Sequence, residues 1–355
     1  MELTNFLNNI LNFDNVSNVL TSLNLRIKED NDYPNLYMVL YDTNKSDFNN
    51  NIVNECRGII LEKNTNKVLC YTFNKGLQES NNFDFTNCTF EESIDGTQIR
   101  LYWYNNKWMY ATTRCIDAFK SYYYSNKSFG ELFDEANSEL DLDRLDKSCC
   151  YSFVLCHPDN RIVVKYNQPY IVHVMTRNLE TMEEINVDIG VRKPVKLEFD
   201  NMVSLQNYIS SNIELEGVMV KFMDNSRMKL YCNNYNSIKL LRGNTNNIYY
   251  RYFELMKQNS VYKFLEYYPE YTNNFVTIKN NLNLLAKEIQ KSYYFKFINR
   301  SCKLSDIKYE LRPIVYELHQ QYLVDNVITD INKVMSKLCE LPVKRLAFIY
   351  NNFFK

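Results

Sequence analysis

The chain has 355 residues, 45% of them hydrophobic and 23% charged, with a formal net charge of −1. This is the balance of a soluble globular protein, and the length predicts two domains, each large enough for its own core. No run approaches the roughly 20 apolar residues of a membrane span, and the N-terminus lacks the basic-then-apolar layout of a signal peptide, so a cytoplasmic location is expected. The ten cysteines and three histidines show no repeated metal-ligand spacing, so no metal site is expected and the thiols are read as reduced and mostly buried.

In chain order, Phe6, Leu7, Ile10 and Leu11 stand at helical spacing, and Leu36 to Tyr41 reads as a strand. From about residue 49 to 243 short β-type runs prevail: Arg57 to Leu61, Val68 to Phe73, Gln98 to Trp103, Trp108 to Thr112, Ile162 to Tyr166, Tyr170 to Thr176 and Val218 to Phe222. Turn-prone segments such as Asn105-Asn106 and Asp224-Asn225-Ser226 separate them, and Ile116 to Tyr124 reads as a helix. The pattern predicts an α+β domain over residues 1–243, built on antiparallel sheets.

The remainder, 244–355, changes texture. Apolar residues recur every three or four positions in Asn281 to Ile289 and Ile328 to Leu338, which predicts an all-helical C-terminal domain. From residue 245 on there are sixteen Lys and Arg against ten Asp and Glu, so the near-zero net charge hides a basic tail beside an acidic body. Aromatic and basic residues interleave in Tyr249 to Phe253, Tyr267-Tyr268 and Tyr293 to Phe297. Most of these rings are expected in the core, while Arg251, Lys291, Lys296 and Arg300 are the expected contacts to a phosphate backbone, where neutralising each phosphate releases counterions.

Five segments in the first domain carry chemistry. They are Glu55 to Leu61 with Phe73-Asn74-Lys75, Ser93-Ile94-Asp95-Gly96, Phe153 to Val163, Leu215 to Lys221 and Arg227 to Tyr231. In this order and at these spacings the set resembles the bacteriophage-type RNA ligase family, ATP-dependent enzymes of the covalent nucleotidyltransferase superfamily that reseal cleaved tRNA anticodon loops. The resemblance spans roughly residues 50 to 243. It implies a nucleotidyltransferase fold, and ATP with Mg2+ as ligands if a nucleotide is still bound.

Matched position by position, the motifs divide into a kept and a lost set. Arg57, Lys75, Asp95, Gly96, Glu216, Gly217 and Lys229 are kept; of these, Arg57, Lys75, Asp95, Gly96, Glu216 and Lys229 are the expected nucleotide- and phosphate-binding set. Arg57 offers a planar donor fork to phosphate oxygens and the two lysines are compact charges suited to the same anion. Three positions are lost: Ser93 stands at the lysine nucleophile, Val154 at an acidic residue near the ribose or metal, and Tyr231 at a second lysine. A serine hydroxyl without a paired base is a weak nucleophile, and the other two changes remove a carboxylate and a cation that would neutralise charge on the α-phosphate. Thr113 stands at the place of another phosphate-binding lysine, with Arg114 one position away, and His157 is read as an inert loop histidine or a rescue acid or base.

The expected function is therefore a pseudo-ligase, not an enzyme, binding tRNA or cleaved RNA ends and protecting against an anticodon nuclease. The alternatives are an active ligase, using a displaced amine such as Lys75 or Lys107 or sealing a preadenylylated RNA end, and a protein-docking or toxin-neutralising module. No membrane partner is expected.

Overall fold

Phe90, Val218, Val220, Met228 and Leu230 occupy alternate positions along their segments, and all five meet in one buried layer under a sheet. Period-two alternation sends successive side chains to opposite faces, so one face makes core and the other is left for chemistry. The computed structural model describes all residues except Asn9, Leu11, Tyr124, Ile213, Glu214 and Asn246, and the chain divides into units Met1–Lys239 and Leu240–Lys355.

Among the described residues, the first unit holds three antiparallel sheets. Strands β1 (Leu25–Glu29), β2 (Leu36–Tyr41), β3 (Arg57–Glu62) and β4 (Val68–Cys70) pair in sequence order. Strand β5 (Cys88–Ser93) belongs to a second sheet, joined by β11 (Lys196–Leu197), β12 (Gly217–Phe222) and β13 (Arg227–Tyr231) in the order β11-β5-β12-β13. The third sheet runs β10-β9-β8-β6-β7, from β6 (Thr97–Tyr104), β7 (Lys107–Thr112), β8 (Cys149–Cys156), β9 (Tyr170–Asn178) and β10 (Glu184–Ile185). Asn105 and Asn106 both take positive φ, 49° and 59°, and close β6 onto β7 as a two-residue turn, with Tyr104 paired to Lys107. Each of the three sheets contributes to a buried layer of Leu, Val, Ile and aromatic side chains. Each such side chain contributes about 1.5–3 kcal/mol when fully buried.

The second unit is helical. Leu282, Leu285, Ala286 and Ile289 form the buried stripe of helix Thr272–Tyr293, at the three- and four-residue steps that place side chains on one helix face. Helices Arg312–Asp325, Ile331–Glu340 and Val343–Phe353 bury Leu318, Leu338 and Leu346 respectively. The fold is thus α+β, an antiparallel-sheet unit followed by a helical one.

Several expected elements differ. Ile162 to Tyr166 forms no strand: the N–H groups of Val163 and Val164 donate to the Asp95 carboxylate at 2.9 and 2.8 Å, and a side chain has taken the donors a ladder would need. Ile116 to Tyr124 is reduced to a single 3-10 turn, Ala118–Lys120, capped by Asp117, with Tyr124 outside the described residues. The run Val68 to Phe73 pairs only as far as Cys70. At the start, helix Glu2–Leu7 buries Leu3 and Leu7; Ile10 lies beyond it and Leu11 is outside the described residues. The helix expected from Ile328 begins at Ile331, because the Asp330 carboxylate accepts the Lys333 N–H and fixes the N-cap there.

Candidate functional site

Strand register assembles the separated motifs. Ser93 on β5 pairs with Gly217 on β12, which pairs with Tyr231 on β13, a row across three strands. Two residues along, Glu91, Met219 and Lys229 form the next row. Because side chains two apart share a face, both rows contribute to the same cleft, while Val218 and Leu230 between them point to the core. Gly217 is required here: its φ is 155°, and a Cβ would lie 2.0 Å from the Leu230 carbonyl oxygen.

The cleft has a volume of about 460 Å³. Gln98 and Val154, directly paired on β6 and β8, form part of its wall, with Gly96 beside them, and Arg57, Phe73 and Lys75 form another part. All three substituted positions, Ser93, Val154 and Tyr231, therefore share one cavity with Arg57, Lys75, Gly96, Glu216 and Lys229. Asp95 does not line it.

Charges within the cleft sort into two classes. Ser93 Oγ donates to Glu216 Oε2 at 2.7 Å, and Lys229 Nζ donates to the same oxygen at 2.7 Å. Burial would raise the Glu216 carboxyl, but Lys229 and the Ser93 hydroxyl outweigh it and hold the acid below its ordinary value. Lys239 adds a further positive charge 3.8 Å from Glu216 Oε1. Lys221 is paired with Glu91 at 2.7 Å and Arg227 with Glu184 at 2.6 Å. Arg57 and Lys75, by contrast, have no carboxylate partner among the described residues. The Arg57 guanidinium is half-buried near the Phe73 ring, and the Lys75 ammonium sits 4.3 Å from the centre of the Phe48 ring. Burial lowers the Arg57 pKa, the neighbouring Arg100 and Arg227 lower it further, and Tyr41 offsets part of this.

Of Asp95 and Glu216, both expected to face phosphate, Glu216 lines the cleft and Asp95 does not. The Asp95 side chain is buried, accepts from Val163, Val164 and, at 2.6 Å, from the Tyr235 hydroxyl, and so ties the motif to the segment that follows β8. Tyr166 Oη completes the tie by donating to the Asp95 carbonyl oxygen at 2.6 Å. Burial pushes the Asp95 carboxyl up despite these bonds. Glu216 is an anion that neutralises a cation. Sequence reasoning missed Tyr235, which follows the last motif in an asparagine-rich helix and carries no local signal.

Other expected residues lie elsewhere. Arg114 and Lys107 do not line the cleft. His157 is buried as the cap of a 3-10 turn: its Nδ1 accepts the Asp159 N–H at 3.0 Å and its Nε2 lies 3.3 Å from Glu135. Glu135, His157 and Asp159 are grouped closely enough to share an ion, but the Lys127 ammonium already lies 2.8 Å from Glu135 and 3.6 Å from Asp159. In the helical unit Arg251 is only 5% exposed. It bonds Glu254 at 2.7 Å and the Leu240 carbonyl at 3.1 Å, so it holds a helix start in place and is not displayed to a ligand. Lys291 and Arg300 are exposed and Lys296 is half-exposed.

No protein-family model matches the chain. Among relatives by sequence, the immediate-early protein ICP-46 homolog of Invertebrate iridescent virus 3 is 24% identical over 262 residues, covering 67% of this chain and 59% of that protein. An RNA ligase of Rhodothermus phage RM378 is 34% identical over 100 residues, 25% of this chain and 23% of that one. The chain therefore spans less than two thirds of either relative. Among solved structures, an archaeal ATP-dependent RNA ligase superposes with a TM-score of 0.46 at 12% identity, covering 71% of this chain and 70% of that chain.

Proposed function

We propose that this RNA ligase-like protein is a pseudo-ligase that binds tRNA or cleaved RNA ends and forms no bond to phosphorus. The observation that carries the reading is the contrast within the cleft: Arg57 and Lys75 have no carboxylate partner among the described residues, while Lys221, Arg227 and Lys229 are each paired. Two such cations beside a cavity have the chemistry to bind a phosphate. The hydroxyl at the nucleophile position is bonded to a carboxylate whose pKa is held down, and such a carboxylate is a poor base for activating serine. A nucleotide's phosphates would meet the same two cations, whereas Mg2+ would find Val154, which has no ligand atom, in place of the family's acidic residue.

Shielding tRNA from an anticodon nuclease, or neutralising that toxin, extends the reading on the strength of the resemblance to enzymes that reseal anticodon loops. Two measurements test the proposal. Incubation with α-phosphate-labelled ATP and Mg2+, followed by denaturation, is expected to leave the polypeptide unlabelled. Gel shifts with intact and cleaved tRNA are expected to show binding that weakens with salt. A covalent label would overturn the pseudo-ligase reading in favour of a displaced amine, for which Lys75 is the candidate because it lines the cleft.

A further inference from the structure

The segment that follows the long helix of the second unit is unlike the rest of that unit. Residues 291–312 carry six basic side chains against two acidic ones, together with five aromatic rings. Helix Thr272–Tyr293 does not stop there but widens into a π-turn, Tyr294–Ile298, in which the Asn299 N–H donates to the Tyr294 carbonyl at 2.9 Å. Such widened turns recur at functional sites because they cost regular hydrogen-bond geometry. The chain then reverses at Arg300, whose φ of 54° is left-handed, and the Ser301 N–H donates to the Phe295 carbonyl at 3.0 Å. Glycine or asparagine is the residue that closes a helix in this conformation. An arginine there needs a reason other than the turn.

The widened turn divides its rings between two roles. Tyr293 is buried, and Phe297 stacks on His319 with ring centres 3.8 Å apart and an interplanar angle of 10°. These fix the turn to the helices beneath. Tyr294 and Phe295 are left 49% and 38% exposed, with planes 75° apart. Around them Lys291, Lys296 and Arg300 have no ion-pair partner among the described residues, whereas Lys333 is paired with Asp325 and both Lys337 and Arg345 with Glu317.

We propose that this π-turn is a single-stranded RNA platform, on which unpaired bases stack against Tyr294 and Phe295 while Lys291, Lys296 and Arg300 meet the adjoining phosphates. The inference deepens the RNA-binding reading and rests on it. Exposed rings interleaved with unpaired cations fit unstacked bases on a phosphate chain, and a duplex, whose bases are already stacked, cannot use the rings.

The test is fluorescence anisotropy of the full chain with a short labelled oligouridylate and with a duplex RNA of the same length, across salt. The wild-type protein is expected to prefer the single strand. Tyr294→Ala with Phe295→Ala should weaken that binding at least about fivefold and abolish the preference. Arg300→Gly suits the left-handed turn better than arginine, so its melting temperature should hold or rise while single-strand binding weakens and the salt dependence becomes shallower. Unchanged affinity in a folded double variant, or in Arg300→Gly, would overturn the platform and assign the rings to another partner. A wild-type protein that binds neither RNA would instead overturn the RNA-binding reading itself.

Discussion

Ser93 Oγ lies 2.7 Å from Glu216 Oε2, an oxygen that also accepts the Lys229 ammonium. The Ser93 hydroxyl, at the position the resemblance matches to a nucleophile, is thus part of a polar cluster, with its proton directed at the Glu216 carboxylate. Placing an amine there, Ser93→Lys, adds a third ammonium beside an anion already flanked by Lys229 and Lys239. We expect this variant alone to acquire no label from α-phosphate-labelled ATP, because Val154 and Tyr231 still line the same cleft; label on the denatured variant would show that the serine was the only obstacle.

Removing the shared acceptor tests the cluster's structural role. Glu216→Ala leaves a hydroxyl and an ammonium without a partner in the cleft wall. A fully buried broken pair costs about 3–5 kcal/mol, and because the Lys229 side chain is 28% exposed a loss of about 1–3 kcal/mol is expected in denaturant unfolding.

Glu216 and Asp95 give opposite pH signatures. The Glu216 carboxyl is held down, so its contribution is present above the ordinary carboxyl pKa and is lost as pH falls through its lower folded value. The Asp95 carboxyl is pushed up by burial, so its contribution is full below the ordinary carboxyl pKa and is lost as pH rises through the higher folded value. Glu216→Gln is therefore expected to flatten the acid limb of the stability–pH curve, and Asp95→Asn to remove a loss on the rising side of the carboxyl range. Thermal melts across pH check both signs.

Asp95→Ala should release the segment it ties down. It strips the acceptor from Val163, Val164 and Tyr235 together, with an expected loss of about 3 kcal/mol. Amide exchange at Val163 and Val164 should accelerate more than exchange in β12, which Asp95 does not bond.

Gly217→Ala is expected to be among the most damaging single changes in the first unit. The added carbon would fall 2.0 Å from the Leu230 carbonyl, and the clash is with backbone in the pairing of β12 and β13. A loss of at least ~3 kcal/mol, read as a collapse in melting temperature, is the expected result.

Much of this architecture is legible in the residues themselves. Alternation along Val218 to Phe222, the Asn105-Asn106 turn and the three- and four-residue spacing of Leu282 to Ile289 are local signals, and each folds as its period dictates. The motif order likewise announces which residues belong together. Local pattern fails where a distant group competes for the backbone. Ile162 to Tyr166 has the composition of a strand, but the Asp95 carboxylate, nearly seventy residues earlier, takes its amides.

Roles within the site depend on the same long-range geometry. Arg57, Lys75 and Lys229 look alike in the sequence as motif cations, yet Lys229 is neutralised by Glu216, and the other two have no carboxylate partner among the described residues. Arg251 and Arg300 look alike as tail cations, yet one is buried against Glu254 and carbonyl oxygens and the other stands exposed in a left-handed turn. Composition and spacing determine that a charge exists and on which element it rides. Whether it is free to meet a ligand is decided by which opposite charge the tertiary fold brings within a few ångströms, because the attraction acts over contact distances that spacing along the chain does not specify.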